Sequence, residues 1–192
     1  MTTKFKLATI ACTAALAIAP LGAQAPDKKP AAKPTTTSTT TSANGWIQLF
    51  DGKDLKGWRG YKKTDASETR WKVVDGMLTI VSNGAGDTRG ARDLITEETF
   101  DQFDLRWEWK MSQGGNSGVK YLVTEDRSGP IAHEYQVIDD LRHADAKIGP
   151  HRATAALYDV IPAPVSKPVK PAGEINTGRI VVDGRHVEHW LN

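Results

Sequence analysis

The chain has 192 residues, with 25 Lys or Arg, 23 Asp or Glu and a formal net charge of +2. The charges are interspersed, and some of the basic residues fall in the first 33 positions, so the rest of the chain is near neutral or slightly acidic. This balance argues against a nucleic-acid-binding protein, which needs a basic patch or stripe.

Residues 1–25 have the features of a secretory signal peptide. Lys4 and Lys6 supply a positively charged start, an Ala-rich apolar stretch follows over residues 7–18, and Ala23-Gln24-Ala25 matches a signal-peptidase site. The apolar stretch is too short for a membrane span. We therefore expect a secreted or periplasmic protein that has no membrane association after cleavage.

The only cysteine, Cys12, lies inside this segment. It could mark a lipoprotein cleavage site, but almost no apolar region would then precede it. Signal removal leaves no cysteine, so the exported domain depends on a packed core and not on disulfides. Residues 26–43 are rich in Pro and Thr and are expected to form a disordered linker, because they cannot bury apolar area. The folded domain is therefore predicted over residues 44–192.

The pattern of the domain is that of β-strands. Phe103–Met111 alternates apolar and charged residues with a period of two, and residues 119–123 repeat the pattern. Asp75-Gly76 and Asp183-Gly184 predict two hairpins with type I′ turns, because that turn needs positive φ at both central residues. Residues 153–160 are expected to form a further strand. Since no long amphipathic helix is predicted, the fold class is all-β, a sandwich or jelly roll.

The segment His133–Asp140 is the most informative stretch for function. Strand alternation places Tyr135 and Val137 towards the core and Glu134 and Gln136 on the opposite face. A carboxylate beside an amide is typical of a surface that recognises sugar hydroxyl groups through paired donors and acceptors.

Alternation in the neighbouring strands turns Glu108, Lys110 and Lys120 outward as well. If these strands neighbour the one that carries Glu134 and Gln136 in one sheet, the five side chains line a single polar surface. The structural alternative is an ordinary solvated face, on which Lys and Glu serve solubility. For Glu108 and Lys110 taken alone, that alternative is the simpler interpretation.

Motifs spread over the predicted domain carry a family resemblance. They are Gly45–Trp58, Trp71–Leu78, Asp93–Thr96, Phe103–Lys110, Gly114–Val119, His133–Asp140 and His189–Asn192. Jointly and in this order they resemble the 3-keto-disaccharide hydrolase domain family, in the concanavalin A-like lectin/glucanase superfamily. The resemblance implies a concanavalin A-like jelly roll and a small carbohydrate substrate, and it leaves the oligomeric state open. Because the family continues past Asn192 with further strands, it also implies that C-terminal strands are missing from this chain.

The family name implies cleavage of glycosides that are oxidised at C3 of the sugar. The 3-keto group acidifies the hydrogen at C2, so a base can remove it, the group at C1 can leave, and water addition completes a net hydrolysis. We expect Glu134 and Glu108 to be the catalytic carboxylates. Direct glycoside hydrolysis is the alternative, but Gln136 can act neither as acid nor as base, and Asp139 would need a bulge to reach the same face.

Residues expected to bind the substrate surround these carboxylates. They are Gln136, Lys110, Asn116, Lys120, His133, Asp139 and Trp58. By the resemblance, the family often has Arg near the position of Lys120. If Lys120 substitutes for that Arg, bidentate recognition is poorer, because an ammonium group lacks the paired N–H donors of a guanidinium group. Trp58 is the aromatic residue best placed to stack on a sugar, whereas Asn116 could equally serve a turn.

A divalent metal is a further possibility that the sequence raises. His133, Glu134, Asp139, Asp140 and His143 are close in sequence, and a metal ion could stabilise an enediolate. However, these residues point to both faces of a strand, and their spacing matches no standard zinc signature. We therefore predict no metal ligands, and the cofactor stays unknown.

A non-catalytic carbohydrate-binding module is the alternative function, because the same fold supports it equally well. Such a module would expose a row of aromatic residues. The carboxylate cluster around Glu134 favours the enzyme instead.

Overall fold

The computed structural model describes residues 3–6, 10–12, 45–81 and 93–192. Within these ranges the regular structure is all-β apart from two short 3-10 helices, Asp145–Lys147 and Pro150–Arg152. The strands are β1 (Thr3–Lys6), β2 (Ile10–Cys12), β3 (Trp46–Gln48), β4 (Trp58–Gly60), β5 (Trp71–Val74), β6 (Met77–Ile80), β7 (Leu94–Thr96), β8 (Phe103–Met111), β9 (Asn116–Tyr121), β10 (His133–Ile138), β11 (Ile175–Asp183) and β12 (His186–Leu191).

The described strands form one large sheet and two small ones. The large sheet has the order β12-β11-β8-β2-β6-β5, and β1 pairs with both β8 and β3. In the small sheets β9 pairs with β10, and β4 pairs with β7. The ring of Trp107 on β8 meets the ring of Tyr135 on β10 edge to face, with centroids 4.9 Å apart. The large sheet and the β9–β10 hairpin therefore pack face to face, and the predicted all-β jelly-roll sandwich is confirmed.

The core between the two layers follows the alternation of β8. Trp107, Trp109 and Met111 are each 2 % exposed, whereas Glu108 is exposed. Burial of a large apolar side chain contributes about 1.5–3 kcal/mol to folding, so these three residues are a principal source of stability. The alternation fails at Asp104, which is buried. Burial alone would raise its pKa, but bidentate contacts from the guanidinium groups of Arg106 and Arg179, at 2.8–3.2 Å, hold it below its ordinary value.

One of the two predicted turns is confirmed and the other is displaced by a residue. Asp75 and Gly76 have φ values of 52° and 72°, as the type I′ prediction requires. In the second hairpin Asp183 pairs with His186, so the turn residues are Gly184 and Arg185, with positive φ only at Gly184. The pair between Asp183 and His186 extends the β11–β12 ladder by one residue pair beyond the prediction, so the turn begins one residue later.

The strand predicted over residues 153–160 is wrong as a regular element. Only Leu157 forms bridges there, one to Tyr135 and one to Ile161. Ala155 and Asp159 have φ values of 67° and 61°, a left-handed conformation that interrupts an extended strand. Residues 155–158 nevertheless form backbone hydrogen bonds with the edge of β10, which carries Glu134.

The strands β1 and β2 lie in the stretch that the sequence predicts as a signal peptide. Their backbones pair in parallel with β8, β1 near Phe103 and β2 near Trp109 to Met111. Cleavage after Ala25 stays a prediction, and the predicted linker over residues 26–43 lies outside the described residues. Across the described ranges, no helix has the length and apolar character needed to cross a membrane.

Candidate functional site

The β9–β10 hairpin carries the candidate site on the face that points away from the core. Its register places Lys120 opposite Glu134, Gly118 opposite Gln136 and Asn116 opposite Ile138. Residues opposite each other in an antiparallel pair project to the same side, so Glu134 and Lys120 share this face. Tyr135 and Val137 project to the other side and are buried, which confirms their predicted orientation.

The segment around Leu157 extends this face on the other side of β10. The backbone N–H of Tyr158 donates to the carbonyl oxygen of Glu134 at 3.0 Å, and the N–H of Gln136 donates to the carbonyl oxygen of Ala156 at 3.1 Å. These bonds place Tyr158 directly opposite Glu134. Three side chains from three chain segments thus form one line, Lys120, Glu134 and Tyr158, which we call the Glu134 row.

The side chain of Glu134 lies over Gly118. A Cβ atom built on Gly118 would lie 2.6 Å from Cδ and 2.7 Å from Cγ of Glu134, and it would overlap the carboxylate oxygen Oε1. The absence of a side chain at position 118 therefore provides the space that the carboxylate occupies. The Gly118 requirement is one of volume, because its φ lies outside the left-handed region.

Burial and nearby charges determine the pKa of Glu134. Partial burial raises it above the ordinary value of 4.5, the ammonium group of Lys120 lowers it, and the carboxylates of Asp93 and Asp145 raise it. Lys120 is itself bound to Asp93, with 3.1 Å between Nζ and Oδ1. The net result is a raised pKa, which brings a carboxylate closer to the range in which a general base works well at neutral pH.

An ion-pair network holds the other end of the Glu134 row. Asp145 accepts a hydrogen bond from the hydroxyl group of Tyr158 at 3.0 Å and one from Arg152 at 2.7 Å. Arg152 also binds both carboxylate oxygens of Asp159, at 3.0 and 3.1 Å, and its guanidinium group lies 5.4 Å from the centre of the Tyr158 ring. Tyr158 is therefore fixed at both its ring and its hydroxyl group.

The expected exposure of Gln136 is wrong. Gln136 lies on the predicted face, but it is 1 % exposed because the 3-10 helix Pro150–Arg152 and residues 153–156 cover it. Its side-chain amide donates to the carbonyl oxygen of Arg152 at 3.4 Å, and its Oε1 accepts from the N–H of Val137 at 3.2 Å. The amide thus stabilises the covering segment.

Glu108 and Lys110 are not brought together with Glu134. They belong to β8 in the large sheet, where Glu108 lies opposite Thr177 of β11. Because Trp107 faces Tyr135 across the core, Glu108 projects to the outer side of the large sheet. The condition for one shared polar surface, that these strands neighbour each other in one sheet, is not met.

His133 lies on the opposite face of β10 from Glu134. Its ring stacks on Tyr121, with centroids 5.5 Å apart. The hydroxyl group of Tyr121 is 3.1 Å from Nε2 of His189, and Nδ1 of His189 is 3.1 Å from the carbonyl oxygen of Ala155. This aromatic cluster joins β12 to the back of the hairpin and does not contribute to the Glu134 face.

Asp139 organises the loop that precedes β9. Its carboxylate accepts the backbone N–H groups of Gly114 at 2.8 Å and Leu141 at 3.0 Å, and Arg142 lies 3.4 Å away. Burial tends to raise the pKa of Asp139, but these hydrogen bonds and the Arg142 charge hold it below its ordinary value. The geometry accounts for Asp139 as a residue that fixes the loop.

The last two predicted binding residues differ in their placement. Asn116 begins β9, is half-buried and lies on the same side as Glu134. Trp58 begins β4, and its indole N–H donates to the carbonyl oxygen of Leu49 at 2.6 Å. This hydrogen bond fixes the half-buried indole against the β3 end.

The residues raised as possible metal ligands do not converge. Among the described residues, no three His, Cys, Asp or Glu side chains are arranged to hold a metal ion. The ring of His143 accepts the N–H of Asp145 at 3.1 Å, and Asp140 lies 2.9 Å from the ammonium group of Lys167.

Four residues of this site were not predicted as site residues: Tyr158, Asp145, Arg152 and Asp93. Asp93 lay within one of the family-like motifs. For Tyr158 the available signal was the strand expected over residues 153–160, but a single sequence does not show that this segment would lie beside β10.

Comparisons with known proteins agree with this architecture. Residues 45–192 match the model of the 3-keto-alpha-glucoside-1,2-lyase-like domain. A 3-keto-disaccharide hydrolase from Bacteroides thetaiotaomicron is 43% identical over 166 residues, which cover 78% of this chain and 57% of that protein. The crystal structure of a proposed glycosyl hydrolase from Parabacteroides distasonis superimposes with a TM-score of 0.63 at 31% identity, covering 75% of this chain and 66% of that one. The chain thus spans less than two thirds of the length of these relatives, and it belongs to the 3-keto-alpha-glucoside-1,2-lyase-like domain family.

Proposed function

We propose that this protein is an enzyme that cleaves the glycosidic bond of 3-keto-glucosides or 3-keto-disaccharides. The observation that carries the proposal is the carboxylate of Glu134, partly buried with a raised pKa beside the ammonium group of Lys120. The name of the Bacteroides relative, a 3-keto-disaccharide hydrolase, supports the substrate class.

The proposed reaction is an elimination followed by hydration. Glu134 takes the proton from C2, and the electron pair moves towards the C3 carbonyl oxygen to form an enolate. Lys120 neighbours Glu134 on the same face, so its positive charge is available to stabilise the enolate. Collapse of the enolate forms the C1–C2 double bond and breaks the bond from C1 to the leaving oxygen. Water then adds at C1, and C2 regains a proton.

The test is turnover of 3-keto-trehalose or 3-keto-lactose by the full chain, followed as released sugar. Glu134→Gln keeps the shape of the side chain and removes the base, so we expect the rate to fall about 10²–10⁴-fold with folding and substrate binding retained. Glu174→Gln, at an exposed carboxylate before β11, is the matched control and should be unaffected. Near-full activity of Glu134→Gln would show that the base lies elsewhere.

Glu108→Gln separates the sequence prediction from the structural one. Because Glu108 projects from the far side of the large sheet, we expect this substitution to leave the rate within a few-fold of the parent. A loss as large as that of Glu134→Gln would restore Glu108 as a catalytic carboxylate.

A non-catalytic binding module is the second candidate, and the observation on its side is one exposed aromatic residue in place of the row that such a module would show. Trp190 on β12 is 54 % exposed, with the guanidinium group of Arg179 lying 5.6 Å from its ring centre. If the module interpretation holds, the chain binds 3-keto-sugars without turnover, and Trp190→Ala abolishes the binding while Glu134→Gln does not.

We also propose export, on the order of positive charge, apolar stretch and Ala23-Gln24-Ala25 in the sequence. Mass spectrometry of the protein recovered from the medium or periplasm should place the new N-terminus at Pro26. A lipid-modified N-terminus at Cys12 would overturn the proposed cleavage site.

A further inference from the structure

The Glu134 row contains a phenol for which the base mechanism has no role. Tyr158 lies directly opposite Glu134, fixed by the bond from its backbone N–H to the Glu134 carbonyl oxygen at 3.0 Å. Side chains in such opposed positions have their Cβ atoms about 4.5–5.5 Å apart and project to the same side. A ligand that reaches the Glu134 carboxylate therefore lies on the face of the hairpin that also carries Tyr158.

Hydrogen bonds and a cation–π contact fix the orientation of the Tyr158 side chain. Asp145 accepts the hydroxyl proton at 3.0 Å, and Arg152 holds Asp145 at 2.7 Å while lying 5.4 Å from the phenol ring centre. Arg152 is in turn fixed by Asp159. The phenol thus donates its only proton to Asp145, and transfer to a substrate requires its O–H bond to turn from Asp145 towards the leaving oxygen.

We propose that Tyr158 is the second catalytic residue of the reaction, and that its hydroxyl group protonates the leaving oxygen while Glu134 removes the proton from C2. This inference rests on the proposed function. The second sugar of a disaccharide is a poor leaving group when it departs as an alkoxide. A proton donor beside C1 therefore lowers the barrier to breaking the bond from C1 to oxygen. The Glu134 carboxylate lies on the Gly118 side of β10 and the Tyr158 hydroxyl group on the Asp145 side. The substrate would therefore lie across the Glu134 row, with C2 towards the carboxylate and the leaving oxygen towards the phenol.

The acid strength of the phenol suits this role. Burial, and then the hydrogen bond to Asp145, raises the pKa of Tyr158 to about 12, so the phenol keeps its proton at neutral pH. A sugar hydroxyl group is a similarly weak acid, and proton transfer between groups of similar pKa is close to balanced. Lys120 is less suited to be the donor, because it is bound to Asp93 on the opposite side of Glu134.

The proton balance closes over the two half-reactions. In the elimination, Glu134 gains the C2 proton, Tyr158 gives its proton to the leaving oxygen, and the sugar leaves as an alcohol. In the hydration, the phenolate of Tyr158 takes a proton from water as the oxygen of that water bonds to C1, and Glu134 returns its proton to C2. Both side chains end as they began, and the net change is addition of one water across the glycosidic bond.

The test compares two leaving groups in the full-length protein. One substrate is a 3-keto-disaccharide, whose departing sugar needs a proton on its leaving oxygen. The other is the 4-nitrophenyl glycoside of 3-keto-glucose, whose nitrophenolate leaves unaided. We expect Tyr158→Phe to lose about 10²–10⁴-fold in kcat on the disaccharide and less than about 10-fold on the nitrophenyl glycoside. Glu134→Gln should lose activity on both substrates.

Hydrogen exchange at C2 provides a second measurement. In heavy water, Tyr158→Phe should still exchange the C2 hydrogen of unreacted disaccharide, because Glu134 is intact, whereas Glu134→Gln should not. Tyr121→Phe removes a phenol from the opposite face of the same hairpin and serves as the control, with no change in leaving-group preference expected.

The outcomes are distinguishable. If the parent protein turns over neither substrate, the proposed function fails and this inference fails with it. If the parent protein is active and Tyr158→Phe loses equal activity on both substrates, or on neither, the function stands and the role of Tyr158 as proton donor is refuted.

Discussion

Replacing Gly118 with alanine is the sharpest test of the candidate site, because it moves the Glu134 carboxylate without altering its chemistry. The three atoms nearest to an added Cβ all belong to the Glu134 side chain, and Cδ would lie 2.6 Å away. Ordinary van der Waals contact begins at 3.4 Å, so the carboxyl carbon must retreat by at least about 0.8 Å.

The size of the effect follows from that displacement. Misplacing a catalytic group by about 1 Å can cost about 10²-fold in rate, so we expect kcat/KM on a 3-keto-disaccharide to fall by about that factor. Stability should change little, because the gain of about 0.4–1 kcal/mol from restricting the unfolded chain is opposed by the displacement of the half-buried Glu134 side chain. Urea unfolding and initial rates of sugar release measure the two quantities.

Two further variants make this prediction decisive. Gly129→Ala is the matched control, since an added Cβ there meets nothing within 4 Å and should leave the rate unchanged. In the double variant Gly118→Ala/Glu134→Gln, the glycine change should add almost no further loss, because its effect acts through Glu134. A Gly118→Ala protein with the parent rate, or independent losses in the double variant, would refute the placement of the carboxylate.

Two other predictions concern the acid limb of activity and the core. Activity should fall as pH drops through the pKa of Glu134, which is raised above the ordinary value of 4.5. Asp145→Asn removes a negative charge and should move this limb of the kcat/KM profile to lower pH. Lys120→Met removes a positive charge and should move the limb to higher pH. Trp107→Ala should reduce the free energy of unfolding by about 3–5 kcal/mol, a fall in Tm of about 6–20 °C, and Glu108→Ala should change it by less than about 1 kcal/mol; equal effects in thermal melts would contradict the assignment of the core face.

The local sequence pattern was sufficient to predict which strand residues are buried and where one of the two turns lies. The alternation in β8 predicted that Trp107 and Trp109 are buried, and the Asp75-Gly76 turn followed from the φ values that type I′ requires. Tyr135 and Val137 were oriented correctly for the same reason. These features depend on residues near each other in the chain.

The failures involve contacts between segments distant in sequence. Asp104 is buried because Arg106 and, from 75 residues further on, Arg179 bind it, and Gln136 is covered by the 3-10 helix at Pro150–Arg152. The grouping of Glu108 with Glu134 failed because alternation gives the face of a strand and not the sheet to which the strand belongs.

The aromatic cluster behind the hairpin has a consequence for acid tolerance. Because Nδ1 of His189 faces the carbonyl oxygen of Ala155, it carries the ring proton, and Nε2 is left to accept from Tyr121. Burial lowers the pKa of His189, so the folded protein holds this ring neutral where the unfolded chain would already be charged. Acidification below the ordinary histidine value of 6.5 therefore favours unfolding at this point. A proton on Nε2 would require the Tyr121 hydroxyl group to turn its own proton away and accept instead, and acidification would thereby weaken the contact between β12 and the hairpin.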